Sequence, residues 1–321
     1  MKQGYECTSS CVVFYLNKIG IAINDYDILA YKNNIFKYRR KENIPDFDID
    51  IYNATLNFFD NQNIHYNITK ISPEYIYDFI EQIINDNSLC LFHLDSSRLP
   101  YNKVISKTIV TSHYLMVERI DRENRLITVC DTCPPIYSEN EYIFEFKIED
   151  FKKAWKKFNF EVIIVDKFDE IFIDKEKARK ELLYTLSMCG SKLYNKLTQS
   201  GGYAISKYKK ELIQCLKSWD EEEYFTNCRK VITNLSINGI IPYFQIIKNF
   251  FVSNIENIDC AENIETLNNI IKAWKNIVFN VSRLSMCDDT IRERFINNII
   301  YNLDIVSEMI DILSENHSCY C

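Results

Sequence analysis

The stretch SHYLMVERIDRENRLITVCD, residues 112–131, reads as two strands and the turn between them. Ser112 to Ile120 and Leu126 to Cys130 are apolar, β-branched and aromatic, and Asp121-Arg122-Glu123-Asn124 is a polar hairpin-type connection. In a tight antiparallel hairpin the start of one strand lies beside the end of the next. His113 opens the first strand and Asp131 ends the second, so the two are expected to be neighbours. An imidazole held by an acid is the base and orienter of a nucleophilic site, and such a site still needs its nucleophile.

That nucleophile is sought upstream. Cys7 to Gly20 reads as a short helix with Val12, Leu16 and Ile19 on one face and Gly20 as its stop. A helix N-terminus carries partial positive charge and free N–H groups, and both favour a thiolate. Cys7 is thus a candidate nucleophile, and Thr8, Ser9 and Ser10 are small enough to let a substrate approach. Among the four histidines, His65 lies in a polar segment, His93 in an apolar strand-like run and His317 in a polar tail. His113 is left as the base. Taken alone, each residue has a plainer reading: Cys7 as a buried thiol, His113 as a satisfied strand-start residue, Asp131 as a strand-ending turn residue. Their order, Cys then His then acid, favours chemistry.

Around these residues the first half mixes helix and strand. Asp46 to Asn61 reads as a helix, Ile64 to Ile71 as a strand, Ser72-Pro73-Glu74 through Ile84 as a helix, and Ser88 to Leu94 as a buried strand. Tyr142 to Ile148 and Phe160 to Val165 are further strands. After about Glu170 the period becomes 3.6: Lys180 to Leu197, Tyr203 to Trp219, Glu221 to Leu235 and Glu262 to Val281 read as helices, with Gly201-Gly202 as a turn. Ile291, Phe295, Ile299, Leu303, Val306, Ile310 and Leu313 mark the face of another. The expected fold is α+β over residues 1–168, followed by an all-helical domain over 169–321.

Composition narrows the function. The 321 residues are 47% hydrophobic, enough for true cores, and carry a net charge of −7. An acidic chain argues against general nucleic-acid binding. No apolar run is long enough to span a membrane, and the N-terminus lacks the apolar core of a signal peptide, so a cytoplasmic protein with mostly free thiols among its 12 cysteines is expected. Cys130 and Cys133 form a CxxC with no second pair at metal spacing, so no metal site is expected. Lys32, Lys37, Arg39, Arg40 and Lys41, interleaved with Tyr31, Phe36 and Tyr38, form a basic cluster suited to an acidic protein partner. Lys152, Lys153, Lys156 and Lys157 read as a solvated face.

GYECTSSCVVFYLNKIGI (4–21), HLDSSRLPY (93–101) and SHYLMVERIDRENRLITVCDTCPP (112–135) together resemble the N-terminal domain of the butirosin biosynthesis protein H family. INGIIPYFQIIKNFF (237–251) and AWKNI around Trp274 are similar to the helical domain that follows it. The core is also similar to peptidases that cut after double-glycine leaders. The resemblance implies a papain-like cysteine-protease fold and a catalytic Cys7, His113 and Asp131. It further implies Gln3 at an oxyanion hole, and Asp95 and Tyr101 at the substrate pocket. The implied reaction passes an acyl group from a carrier-protein thioester, borne on phosphopantetheine, through Cys7 to a small amine, with no resident cofactor. A related cysteine peptidase is the alternative, and a non-catalytic binding protein of the same fold a third reading.

Overall fold

The structure, a computed structural model, describes residues 6–31, 36–49, 51–101, 112–133, 143–165, 171, 173–190, 200–237, 239–254, 260–287 and 289–317. In chain order its elements begin with α1 (Cys7–Lys18), α2 (Asp25–Leu29), β1 (Lys37–Lys41), β2 (Ile44–Asp48), α3 (Ile51–Asn61), β3 (Tyr66–Lys70) and α4 (Ile76–Asn85). Next come β4 (Leu89–Asp95), β5 (Ser112–Asp121), β6 (Leu126–Cys130), β7 (Ile143–Lys147), α5 (Ile148–Trp155) and β8 (Glu161–Val165). The helices α6 (Lys175–Ser187), α7 (Gly201–Ser218), α8 (Glu221–Ser236), α9 (Ile240–Ser253), α10 (Cys260–Leu284) and α11 (Asp289–Glu315) follow. The protein is therefore mixed α and β, with its sheet in the N-terminal region and a helical C-terminal region.

Two compact units divide the chain: Met1–Tyr31 with Ile51–Ile173, and Lys32–Asp50 with Asp174–Cys321. The division departs from the expected 1–168 and 169–321 by an excursion, since Lys32–Asp50 group with the helices.

In the first unit six strands run in the order β3-β8-β4-β5-β6-β7, each antiparallel to its neighbours. Strand side chains alternate faces, and both faces are apolar here. Leu89, Leu91, Tyr114, Met116, Ile163 and Val165 pack with Cys11, Val12 and Leu16 of α1 and Phe58 and Phe59 of α3. On the opposite face Phe92, Leu94, Leu115, Ile127, Val129 and Val162 pack with Ile80 of α4 and Phe151 and Trp155 of α5. Each fully buried side chain of this size contributes about 1.5–3 kcal/mol. The α1 helix stops where expected: Gly20 takes φ +91, and the Ile21 N–H reaches back to Leu16 O at 2.9 Å. The 112–131 hairpin also forms, with Met116 opposite Cys130 and Asp121 opposite Leu126.

The expected helix Asp46 to Asn61 is two elements. Ile44–Asp48 pair with Lys37–Lys41 as a hairpin, Arg39 opposite Asp46, and helix begins only at Ile51. The turn residues Glu42 and Asn43 both have positive φ (51° and 63°), the geometry whose twist matches paired strands. Gly201 and Gly202 are not an inter-helical turn but the first residues of α7. Gly201 has φ +59, and a Cβ there would meet Cys189 O at 2.6 Å. On α11 the buried stripe begins at Ile296, whereas Ile291 is exposed.

The second unit packs this hairpin into its own core. Phe47 stacks on Tyr208 at 4.5 Å and meets Trp274 edge-on at 5.5 Å, and Phe36 lies 5.8 Å from both Tyr243 and Phe244. Two residues of the basic cluster have acidic partners within this unit. Arg39 pairs with Asp46 at 2.9 Å and Asp48 at 3.2 Å, and Arg40 with Glu211 at 3.4 Å. Lys32 lies outside the described residues. Among the described residues no helix is long and apolar enough to cross a membrane.

Candidate active site

The N-terminus of α1 is organised by Glu6. Its extended backbone (φ −139, ψ 138) places the buried carboxylate over the first turn, where it accepts the Ser9 N–H at 2.8 Å and the Thr8 hydroxyl at 2.6 Å. The Cys7 Sγ–H points to the same carboxylate at 3.4 Å. Ser9 and Ser10 donate to Asp25 Oδ1 at 3.2 and 3.4 Å. Thr8, Ser9 and Ser10 are thus buried and hydrogen-bonded, not an open approach for substrate.

The expectation of a helix-stabilised thiolate is corrected here. Burial, then the Glu6 carboxylate, push the Cys7 thiol well above the ordinary cysteine range, with Cys133 adding to the rise and a hydrogen bond from the Tyr114 backbone opposing it. The first physical reason is burial of the sulfur. Competition for the helix end adds to it, since the Ser9 N–H and the positive end of the dipole are engaged by the Glu6 carboxylate.

His113 and Asp131 are neighbours: His113 Nε2 lies 2.9 Å from Asp131 Oδ2, both buried. Tyr101 donates its hydroxyl to the same oxygen at 2.5 Å, and the Cys133 N–H reaches Oδ1 at 3.0 Å. Burial alone would lower the His113 pKa, but the charge and hydrogen bond of Asp131, helped by Glu6, outweigh it and raise it above 6.5. With Nε2–H donating to Asp131, Nδ1 is left as the nitrogen that can exchange a proton.

Two cysteines tie α1 to this hairpin. The Cys11 Sγ–H reaches Tyr114 O at 3.8 Å, and the sulfur lies 3.5 Å from Thr132 Oγ1. β6 pairs with β5 only from Met116 onward, and the Cys11 thiol reaches the Tyr114 carbonyl that this leaves. The Tyr114 backbone also acts on Cys7, lowering its pKa against the effect of burial, and Glu6 acts electrostatically on both Cys7 and His113.

The other expected site residues fare differently. Gln3 lies outside the described residues. Asp95 is 1% exposed; its carboxylate takes the Ser97 N–H and hydroxyl at 3.2 and 2.7 Å and Arg98 Nε at 3.1 Å, capping a short 3₁₀ turn. Tyr101 is buried with its ring 4.0 Å from Phe144, and its hydroxyl donates to Asp131. His317, expected in a polar tail, is buried against Phe251, and burial lowers its pKa to about 4. Among the described residues no group of three His, Cys, Asp or Glu side chains is placed to hold a metal ion. Comparison of the sequence with protein-family models and with curated proteins finds no match.

Proposed function

We propose that the protein is a cysteine-dependent acyltransferase with a papain-like first unit, forming an amide from a carrier-protein thioester and a small amine. The observation that carries this reading is the buried His113–Asp131 pair, an imidazole that an acid orients at 2.9 Å, together with a buried thiol, Cys7, at the N-terminus of α1. The chain order Cys7, His113, Asp131 and the resemblance to the butirosin biosynthesis protein H family supply the choice of thioester and amine.

Because the resting thiol is protonated, attack needs a base. His113 takes the Cys7 proton as sulfur adds to the thioester carbonyl, the C–S bond to phosphopantetheine breaks, and the departing thiolate is protonated by His113. Asp131 stays a carboxylate and stabilises the imidazolium, and Tyr101 holds Asp131 in place. An amine then attacks acyl-Cys7, losing its proton to His113, and the amide leaves with the thiol restored.

Intact-mass measurement after mixing with acyl carrier-protein thioesters tests this. The expected result is a gain of one acyl mass, absent in Cys7→Ala and discharged to an amide by added amines. Cys7-dependent cutting of peptides, with no acyl adduct from any thioester, transfers the site to the peptidase reading.

A further inference from the structure

His93 plays no part in the Cys7 chemistry, yet it is held between two partners of its own. Its Nδ1 lies 2.8 Å from Glu161 Oε1 and its Nε2 2.8 Å from Ser112 Oγ. The register explains the convergence. His93 stands opposite Tyr114 across β4 and β5, and Phe92 opposite Val162 across β4 and β8. Ser112, two residues before Tyr114, and Glu161, one before Val162, therefore project from the same face as His93. The imidazole is clamped between the rings of Tyr114 and Phe158, with centroids at 4.3 and 3.7 Å, which fixes the direction of both nitrogens.

The polarity of this relay is set. With Nδ1–H donating to Glu161, Nε2 is left to accept the Ser112 Oγ–H. Burial lowers the His93 pKa, against the pull of Glu161, so the ring is neutral and able to act as a base. A histidine needed only for packing is served by buried partners. Here the second partner is the hydroxyl of Ser112, which is exposed.

We propose that Ser112, His93 and Glu161 form a second acyl-transfer site, a serine esterase centre for carboxylic esters with apolar acyl groups. Ser112 Oγ bonds to the ester carbonyl carbon as its proton passes to His93 Nε2. The bond to the alcohol oxygen breaks, and the alcohol leaves with that proton. Water, deprotonated by His93, then cleaves acyl-Ser112, releasing the carboxylic acid and restoring the hydroxyl. Glu161 stays ionised and offsets the imidazolium charge. Tyr114 and Phe158, with Tyr52 stacked on Tyr114 at 5.7 Å, make the surroundings of the imidazole aromatic, which suits apolar acyl groups.

The test uses the full chain carrying Cys7→Ala, which removes the thiol and separates this site from the one proposed above. The probes are p-nitrophenyl butyrate and an alkyl fluorophosphonate. Turnover of the ester and a phosphonate adduct mapped to Ser112 are expected. Ser112→Ala, at an exposed position, is expected to keep the thermal melt and lose hydrolysis by about 100-fold or more. His93→Gln is expected to abolish labelling, and Glu161→Gln to slow it about tenfold. Absence of an adduct at Ser112 in the folded Cys7→Ala protein overturns the proposal. So does labelling at an undiminished rate in both His93→Gln and Glu161→Gln.

Discussion

The Glu6 carboxylate occupies the position from which the N-terminus of α1 would otherwise act on Cys7, and it adds to burial in raising the thiol's pKa. Replacing Glu6 with Gln keeps an oxygen acceptor for the Ser9 N–H but removes the charge that raises the thiol. The sign follows directly: without that charge the Cys7 pKa falls, and the thiolate fraction at fixed pH rises. Alkylation of Cys7 by iodoacetamide at about pH 7.5 is expected to quicken. An unchanged rate would show that burial alone holds the proton. At this scale the His113–Asp131 pair was legible in the sequence, because both residues sit at defined places in one hairpin. The Tyr101–Asp131 bond was not, since it joins residues 30 positions apart across separate elements. Nor was the protonation of Cys7, which depends on how deeply the helix end is buried.

Two glycines show how local backbone and packing share control of an element. Gly20 ends α1 at φ +91 with nothing within 4 Å of an added Cβ, so Gly20→Ala carries only conformational strain, about 1–2 kcal/mol. Gly201 opens α7 at φ +59 against the Cys189 carbonyl, a backbone atom that cannot move aside. Gly201→Ala is expected to cost more than Gly20→Ala, read as the larger fall in urea midpoint; equal costs would mean the Cys189 turn yields freely. The Gly20 stop was legible because it follows a 3.6-period run. The role of Gly201 was not, because its obstacle is a carbonyl twelve residues upstream. The β1–β2 hairpin escaped notice because its turn is Glu42-Asn43, without the glycine that usually marks a turn with two positive φ values.

At the scale of the molecule, Lys32–Asp50 leave the sheet-bearing unit and complete the helical one. Phe36 and Phe47 are buried among Tyr208, Tyr243, Phe244 and Trp274, so the helices alone have a hole where the hairpin inserts. A fragment of residues 174–321 is expected to lack a cooperative thermal transition, and Phe47→Ala in the full chain to cost about 3–5 kcal/mol. A fragment that melts cooperatively without residues 32–50 would show that the hairpin only decorates this unit. The same insertion gives two cations of the basic run partners within this unit. Arg39 and Arg40 are matched to Asp46, Asp48 and Glu211 by the packing of the hairpin.

By itself the sequence determined the features carried by short-range pattern. These are strands where apolar residues run in short bounded stretches, helices where they recur at three and four, and the hairpin that brings His113 to Asp131. Pattern of this kind reports which face of an element is apolar, and nothing about what covers it. Only the tertiary structure decided that burial, with Glu6, raises the Cys7 thiol's pKa and that residues 32–50 belong with the helices. It alone aligned Glu161, His93 and Ser112 across three strands. Each of these is set by burial or by contact between residues distant in sequence, and such contacts leave no period along the chain to read.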